Sequence, residues 1–156
     1  MVSKRFAVVL AALILAALPA LAKPNFSGDW KLNAAKSTFG EMPAPSSMTM
    51  KITHADPKVT AASKSSSERG EFEISATYTT DGAPTTNQGF GGNPTTSTAK
   101  WDGDVLSIET KGKFGDNDFT MQDKWSLSED GKVLSILRTF KSSMGEAQQK
   151  LVLEKQ

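Results

Sequence analysis

Beyond residue 47 apolar residues recur at every second position, and each such run stops at a short turn. The pattern is clearest where Phe72, Ile74, Ala76 and Tyr78 alternate with Glu71, Glu73, Ser75, Thr77 and Thr79. Successive strand side chains point to opposite faces of a sheet, so this alternation predicts a strand with one face buried and one in water. The same grammar predicts strands at about Met48–Thr53, Glu71–Thr80, Thr95–Trp101, Val105–Lys111, Phe119–Leu127, Val133–Lys141 and Ala147–Glu154, preceded by a short opening strand within Asn25–Leu32. Asn33–Gly40 reads as a turn or a single helical turn. A strand at about Val59 is predicted to be short, strongly bent or beside an opening, because Ala61, Ala62 and the run Ser63 to Ser67 offer little apolar surface.

Three Asp-Gly pairs, at residues 81–82, 102–103 and 130–131, punctuate the pattern. Glycine reaches the positive φ of tight hairpins without a Cβ clash, so these pairs predict that strands adjacent in sequence are adjacent in the sheet. The hairpin text repeats itself. Lys100-Trp101 precedes Asp102-Gly-Asp-Val-Leu-Ser-Ile108, and Lys124-Trp125 precedes Asp130-Gly-Lys-Val-Leu-Ser-Ile136. Between the strands, Thr85–Pro94 holds three glycines around Phe90 and is expected to be a mobile loop.

Eight to ten short antiparallel strands in up-and-down order close into a barrel or pack as a sandwich. Closure is favoured, because nearly every connection is hairpin-short whereas sandwiches need crossings between sheets. A membrane barrel fits badly. The faces opposite the apolar ones read Thr49-Lys51-Thr53, Glu71-Glu73 and Gln122-Lys124, which cannot line hydrocarbon.

Composition bounds the picture without changing it. At 156 residues, with 38% hydrophobic and 22% charged, the chain is expected to form one domain. Its first part differs in kind: a basic head at Lys4-Arg5, an unbroken apolar run from Phe6 to Leu18, and small residues at Ala20-Leu21-Ala22 predict a signal peptide over residues 1–22, cleaved after Ala22. The run is shorter than the roughly 20 residues needed to cross a bilayer, so no stable membrane insertion is expected after cleavage. Without Lys4 and Arg5 the eighteen basic residues become sixteen against seventeen acidic ones, a formal charge of −1. Mixed signs along the turns leave no cationic patch for nucleic acid. The absence of cysteine excludes lipoprotein acylation, thiol nucleophiles and disulfides, which with an export signal suits a periplasmic or secreted bacterial protein.

The opening segment Phe26-Ser-Gly28-Asp-Trp30-Lys-Leu-Asn, with Lys36-Ser37-Thr38-Phe39 behind it, resembles the Gly-x-Trp strand of lipocalins, and more closely a group of small secreted bacterial lipocalin-like proteins. The resemblance implies a container for an apolar ligand. It casts Trp30, with Gly28, as the plug of the closed barrel end and Arg138 as the cation covering the indole.

From the residues themselves, Arg138 shares the Leu134, Ile136 and Phe140 face, Asp123 the Phe119, Met121, Trp125 and Leu127 face, and Tyr78 the Phe72 and Ile74 face. If these faces point inward, each enclosed charge needs a partner, because an unpaired buried charge is strongly unfavourable. Two arrangements satisfy this. Arg138 pairs with Asp123 or stacks on Trp30; or Arg138 and Tyr78 bind the polar head of a ligand, with Met48, Met50, Ile52, Phe72, Phe119, Met121 and Trp125 around its apolar body. Candidate ligand-binding residues are therefore Arg138, Tyr78, Asp123, Met50, Phe72, Met121 and Trp125.

Catalytic and metal chemistry find little support. His54 is the single histidine, expected half-exposed at a strand end, and serines without a nearby base are no triad. Asp116-Asn117-Asp118 lacks the downstream glutamate of a calcium loop. The sequence thus predicts a monomeric, non-enzymatic, lipocalin-like barrel over residues 23–156, with no cofactor, binding a small apolar or amphipathic molecule. The alternative is a protein-binding module, such as an enzyme inhibitor, working through the Gly89–Pro94 loop.

Overall fold

The computed structural model describes residues 22–156; the predicted signal peptide lies outside them but for Ala22. Ten antiparallel strands follow one another: β1 (Gly28–Leu32), β2 (Ser47–Ala55), β3 (Lys58–Ser67), β4 (Gly70–Thr79), β5 (Thr85–Gln88), β6 (Pro94–Asp102), β7 (Val105–Phe114), β8 (Asn117–Leu127), β9 (Val133–Ser142) and β10 (Gly145–Lys155). They form one sheet in the order β4-β3-β2-β1-β10-β9-β8-β7-β6-β5. Apart from the β1–β10 junction, hydrogen-bonded neighbours are neighbours in sequence. The fold is a nearly closed up-and-down barrel of the lipocalin-like kind.

One sequence expectation fails where the barrel should close. Asp81-Gly82 does not fold β4 and β5 into a hairpin: these strands stand at the two ends of the sheet order, with no ladder between them. Instead Asp81 bridges to Lys100 of β6. At the seam the Asn87 side chain replaces the ladder, its Oδ1 accepting the Thr77 N–H at 2.8 Å and its Nδ2 donating to the Thr77 carbonyl at 3.0 Å. A side-chain amide has the donor and acceptor pair of a peptide group, so one asparagine can stand in for one strand residue.

Two other expectations are refined. Of the alternatives for β3, the short strand is excluded: ten residues long, it pairs along its length with both β2 and β4. Its backbone ladders hold it in place of apolar side chains. Thr85–Pro94 is not all loop, since Thr85–Gln88 pairs with Ser97–Pro94 before a 3₁₀ turn at Phe90–Gly92. The Asn33–Gly40 expectation is met by a 3₁₀ turn at Ala34–Lys36, capped by Asn33 Oδ1 accepting the Lys36 N–H.

Up-and-down order sends alternate turns to opposite ends. The β2–β3, β6–β7 and β8–β9 turns share one end with the β4–β5 connection and the incoming segment before β1. The β3–β4, β5–β6, β7–β8 and β9–β10 turns share the other with the β1–β2 connection. The first end is filled. Phe26, Trp30, Val59, Leu106, Trp125, Leu134, Ile136 and Leu153 are almost wholly removed from water there, so the burial that stabilises the fold is concentrated in this half.

Candidate functional site

The alternation places the side chains of the barrel interior in rows that the register defines. Reading from the closed end across β6 to β10, the first row is Trp101, Leu106, Trp125, Ile136 and Leu151. Ala99, Ile108, Asp123, Arg138 and Gln149 form the second; Ser97, Thr110, Met121, Phe140 and Ala147 the third. Charge therefore enters the interior one row above the tryptophans.

Arg138 and Asp123 are directly opposite one another on β9 and β8. The guanidinium Nε donates to Asp123 Oδ1 at 2.8 Å and its Nη2 to Oδ2 at 2.7 Å, a side-on bidentate pair. Asp123 is buried while the Arg138 side chain keeps 25% of its surface exposed. Burial disfavours the charged guanidinium, but the Asp123 charge and its hydrogen bonds outweigh that and hold the Arg138 pKa above its ordinary value. Tyr78 packs edge-on against Trp125 with ring centroids 6.0 Å apart. Its hydroxyl pKa is pushed up to about 12, first by burial and then by the Asp123 charge. Among the described residues that hydroxyl makes no hydrogen bond, and the Trp125 indole N–H is buried without a partner. In the third row Ser97 and Thr110 satisfy each other through a 2.8 Å hydroxyl contact.

From the β8 and β9 members of the third row toward the mouth, coverage of the inward face becomes incomplete. Met48, Ile74, Phe119, Met121 and Phe140 all point inward, yet none is fully buried. Phe119 stacks on Phe140 with centroids 5.3 Å apart, and it lies against Gly112, where a Cβ would come within 3.0 Å of its ring. The rim carries exposed apolar side chains among its charged ones: Phe90 is 53% exposed, Phe114 63% and Met144 83%. Phe90 meets Phe72 edge-to-face at 6.2 Å across the seam. There the stretch 71–75 of β4 and the Gln88–Gly92 turn line a half-open recess of about 390 Å³, with Phe72, Ile74 and Phe90 as its apolar side chains and Glu71 and Glu73 as its charged ones. A second recess of about 350 Å³ sits on the outer surface of β8 to β10, around Leu137 and Lys124.

The closed end holds a constellation that the sequence pattern does not reveal. His54 is buried, not half-exposed as expected from its place at a strand end, because the segment preceding β1 folds over it. The Phe26 N–H donates to His54 Nδ1 at 3.2 Å, which places the ring proton on Nε2, donated to Asp56 Oδ1 at 2.7 Å. The imidazole stacks on both Phe26 and Trp101. Its hydrogen bond, opposed by partial burial, holds the Asp56 carboxyl below its ordinary pKa. These groups pin a plug.

Trp30 is buried at this end, its indole N–H donating to the Phe26 carbonyl at 3.0 Å. The cation over its ring is Lys155, at 5.4 Å, not Arg138, whose guanidinium is engaged by Asp123. Gly28 has a φ of +146°, and a Cβ there would meet Lys155 Cε at 2.7 Å, so the glycine admits the covering lysine. Of the candidate ligand-binding residues, Arg138, Asp123 and Tyr78 come together at the boundary between the two halves, and Trp125 lies beneath them in the filled half. Phe72 and Met121 lie in the wall of the open half, and Met50 is buried in the core.

No protein-family model matches the chain, and no curated protein matches it in sequence. Solved structures match its fold. Zebrafish ileal bile acid-binding protein complexed with cholic acid superposes with a TM-score of 0.60 at 15% identity, covering 84% of this chain and 98% of that one. A secretory abundant heat soluble protein from Ramazzottius varieornatus gives 0.55 at 14% identity, with 86% and 97% covered. The Schistosoma mansoni fatty acid binding protein in complex with arachidonic acid gives 0.52 at 14% identity, with 84% and 96% covered. At these identities the likeness is one of fold.

Proposed function

We propose that this protein is a secreted or periplasmic, monomeric, non-enzymatic carrier that holds a small apolar or amphipathic molecule in the open half of its barrel. One observation carries the reading. Apolar side chains that point into the barrel, Met48, Ile74, Phe119, Met121 and Phe140, remain partly exposed to water, so toward the mouth the protein does not fully cover its own apolar faces. Unfilled apolar space in water is unfavourable, and an apolar guest removes that cost. The 390 Å³ recess at the seam is of the size that small-molecule sites have, with Phe72, Ile74 and Phe90 as its apolar contacts. Barrels of the same fold whose bound molecules are cholic acid and arachidonic acid support the reading. The export signal expected over residues 1–22 supports the compartment.

Native mass spectrometry of protein purified from its own source, followed by denaturation and lipid extraction, tests the proposal. A bound apolar molecule released on unfolding is expected. Folded protein that carries nothing and fails to take up any apolar fluorescent probe would overturn it. The exposed Phe90 in the Gly89–Pro94 segment favours a second reading, a protein-binding module. That reading predicts a stoichiometric protein partner whose capture is lost in Phe90→Ser, with no released lipid.

A further inference from the structure

We infer that the guest of this barrel is uncharged, an apolar body carrying a neutral oxygen acceptor such as a hydroxyl, ester or ketone, and that ionised fatty acids are rejected. This rests on the proposed carrier function and adds the class of ligand. The chemistry of the second row argues it. Among the described residues, Asp123 and Arg138 are the acidic and basic side chains that the strand alternation points into the interior, apart from His54 and Lys155, both at the plugged end. They neutralise one another through two short hydrogen bonds. Arg138 therefore keeps N–H donors for a guest but has no charge to spare.

A carboxylate seated here would leave water without gaining a net opposing charge, and it would lie beside the Asp123 carboxylate. The uncommitted groups beside the pair are donors on neutral side chains, the Tyr78 hydroxyl and the buried Trp125 indole N–H; the Trp101 indole N–H, likewise unpartnered, stacks against the plug. Burial already pushes the Tyr78 phenol to about 12, so the same surroundings disfavour a second anion. A neutral oxygen meets none of these objections and accepts from any of these donors.

The test compares dodecanol, methyl dodecanoate, dodecanoate and dodecylammonium as competitors of an apolar fluorescent dye, at about pH 8, where the acid is ionised. The alcohol and the ester are expected to compete about tenfold or more tightly than either ion, the usual order for a desolvated charge without a counter-charge. Asp123→Asn frees the Arg138 charge and is expected to bring dodecanoate level with or ahead of dodecanol. The neutral double variant Asp123→Asn/Arg138→Gln is expected to keep the wild-type order. If the single variant does not fold, the wild-type series and the double variant decide. Dodecanoate competing as well as dodecanol against wild type would overturn the inference and leave the carrier function standing. Failure of all four competitors and of the dye would instead remove the carrier function, and the inference with it.

Discussion

The two halves of this barrel are built by the same alternation and end in opposite states. Toward the closed end the inward positions hold Trp30, Leu106, Trp125, Leu134 and Ile136, packed until water is excluded. Toward the mouth they hold Met48, Ile74, Phe119, Met121 and Phe140, equally apolar and incompletely covered. The difference lies in what closes each end. At one, the segment before β1 folds in, and Phe26 stacks against Trp101 and His54 and edge-on against Trp125. At the other, the β1–β2 connection runs beside β10, bridging Thr38 to Lys150, and Phe39 alone of its large apolar side chains packs against the core. A patterned strand guarantees an apolar face; only a covering segment turns that face into a core.

The largest effect should separate the halves by stability. Trp30→Ala or Leu134→Ala is expected to cost about 3–5 kcal/mol, as truncation of a packed core side chain does, whereas Phe72→Ser should cost less than about 1 kcal/mol. Denaturant unfolding measures both, and similar losses would erase the distinction. At the boundary, Arg138→Ala leaves the buried Asp123 carboxylate unpaired. A loss of about 2–4 kcal/mol is expected, below the full value for a buried pair because the arginine is partly exposed.

At the seam, Asn87→Ala removes the two hydrogen bonds to Thr77 and should cost about 1–2 kcal/mol. Hydrogen exchange of the Thr77 amide should accelerate more than that of amides in β8. The smallest effect is confined to alkaline pH. The Tyr78 pKa is raised on folding, so the folded state holds its phenolic proton more tightly than the unfolded state. Stability present below about pH 10 should therefore be lost as pH rises toward about 12. Tyr78→Phe should remove that dependence while changing stability little at neutral pH. An unchanged alkaline slope would show that the phenol is not enclosed.

Much of this comparison is legible in the residues. The echo of Val-Leu-Ser-Ile after two Asp-Gly turns predicts paired strands, and both copies deliver buried pairs, Leu106 with Ile108 and Leu134 with Ile136. Arg138 and Asp123 share inward faces by period alone, and their pairing is one of the arrangements that the sequence allows. The seam is not legible. Asp81-Gly82 has the turn chemistry of the other two pairs, yet closure requires the first and last strands of the sheet order to meet. That geometry set β4 beside the Asn87 amide in place of a ladder. Lys155 over Trp30 and Phe26 over His54 were equally hidden, since each joins residues far apart in sequence.

By itself the sequence determined the strands apart from β5 and the extent of β3, their inward faces, the up-and-down order and the presence of one acid and one base inside. These follow from local rules, the two-residue period of a strand and the φ tolerance of glycine at turns, which act over a few neighbouring residues. Only the tertiary structure decided which half is filled, which cation covers Trp30 and how the seam is held. Those outcomes depend on where chain segments come to lie once the sheet has curled, and space left inside a barrel is a property of the closed surface rather than of any residue that lines it.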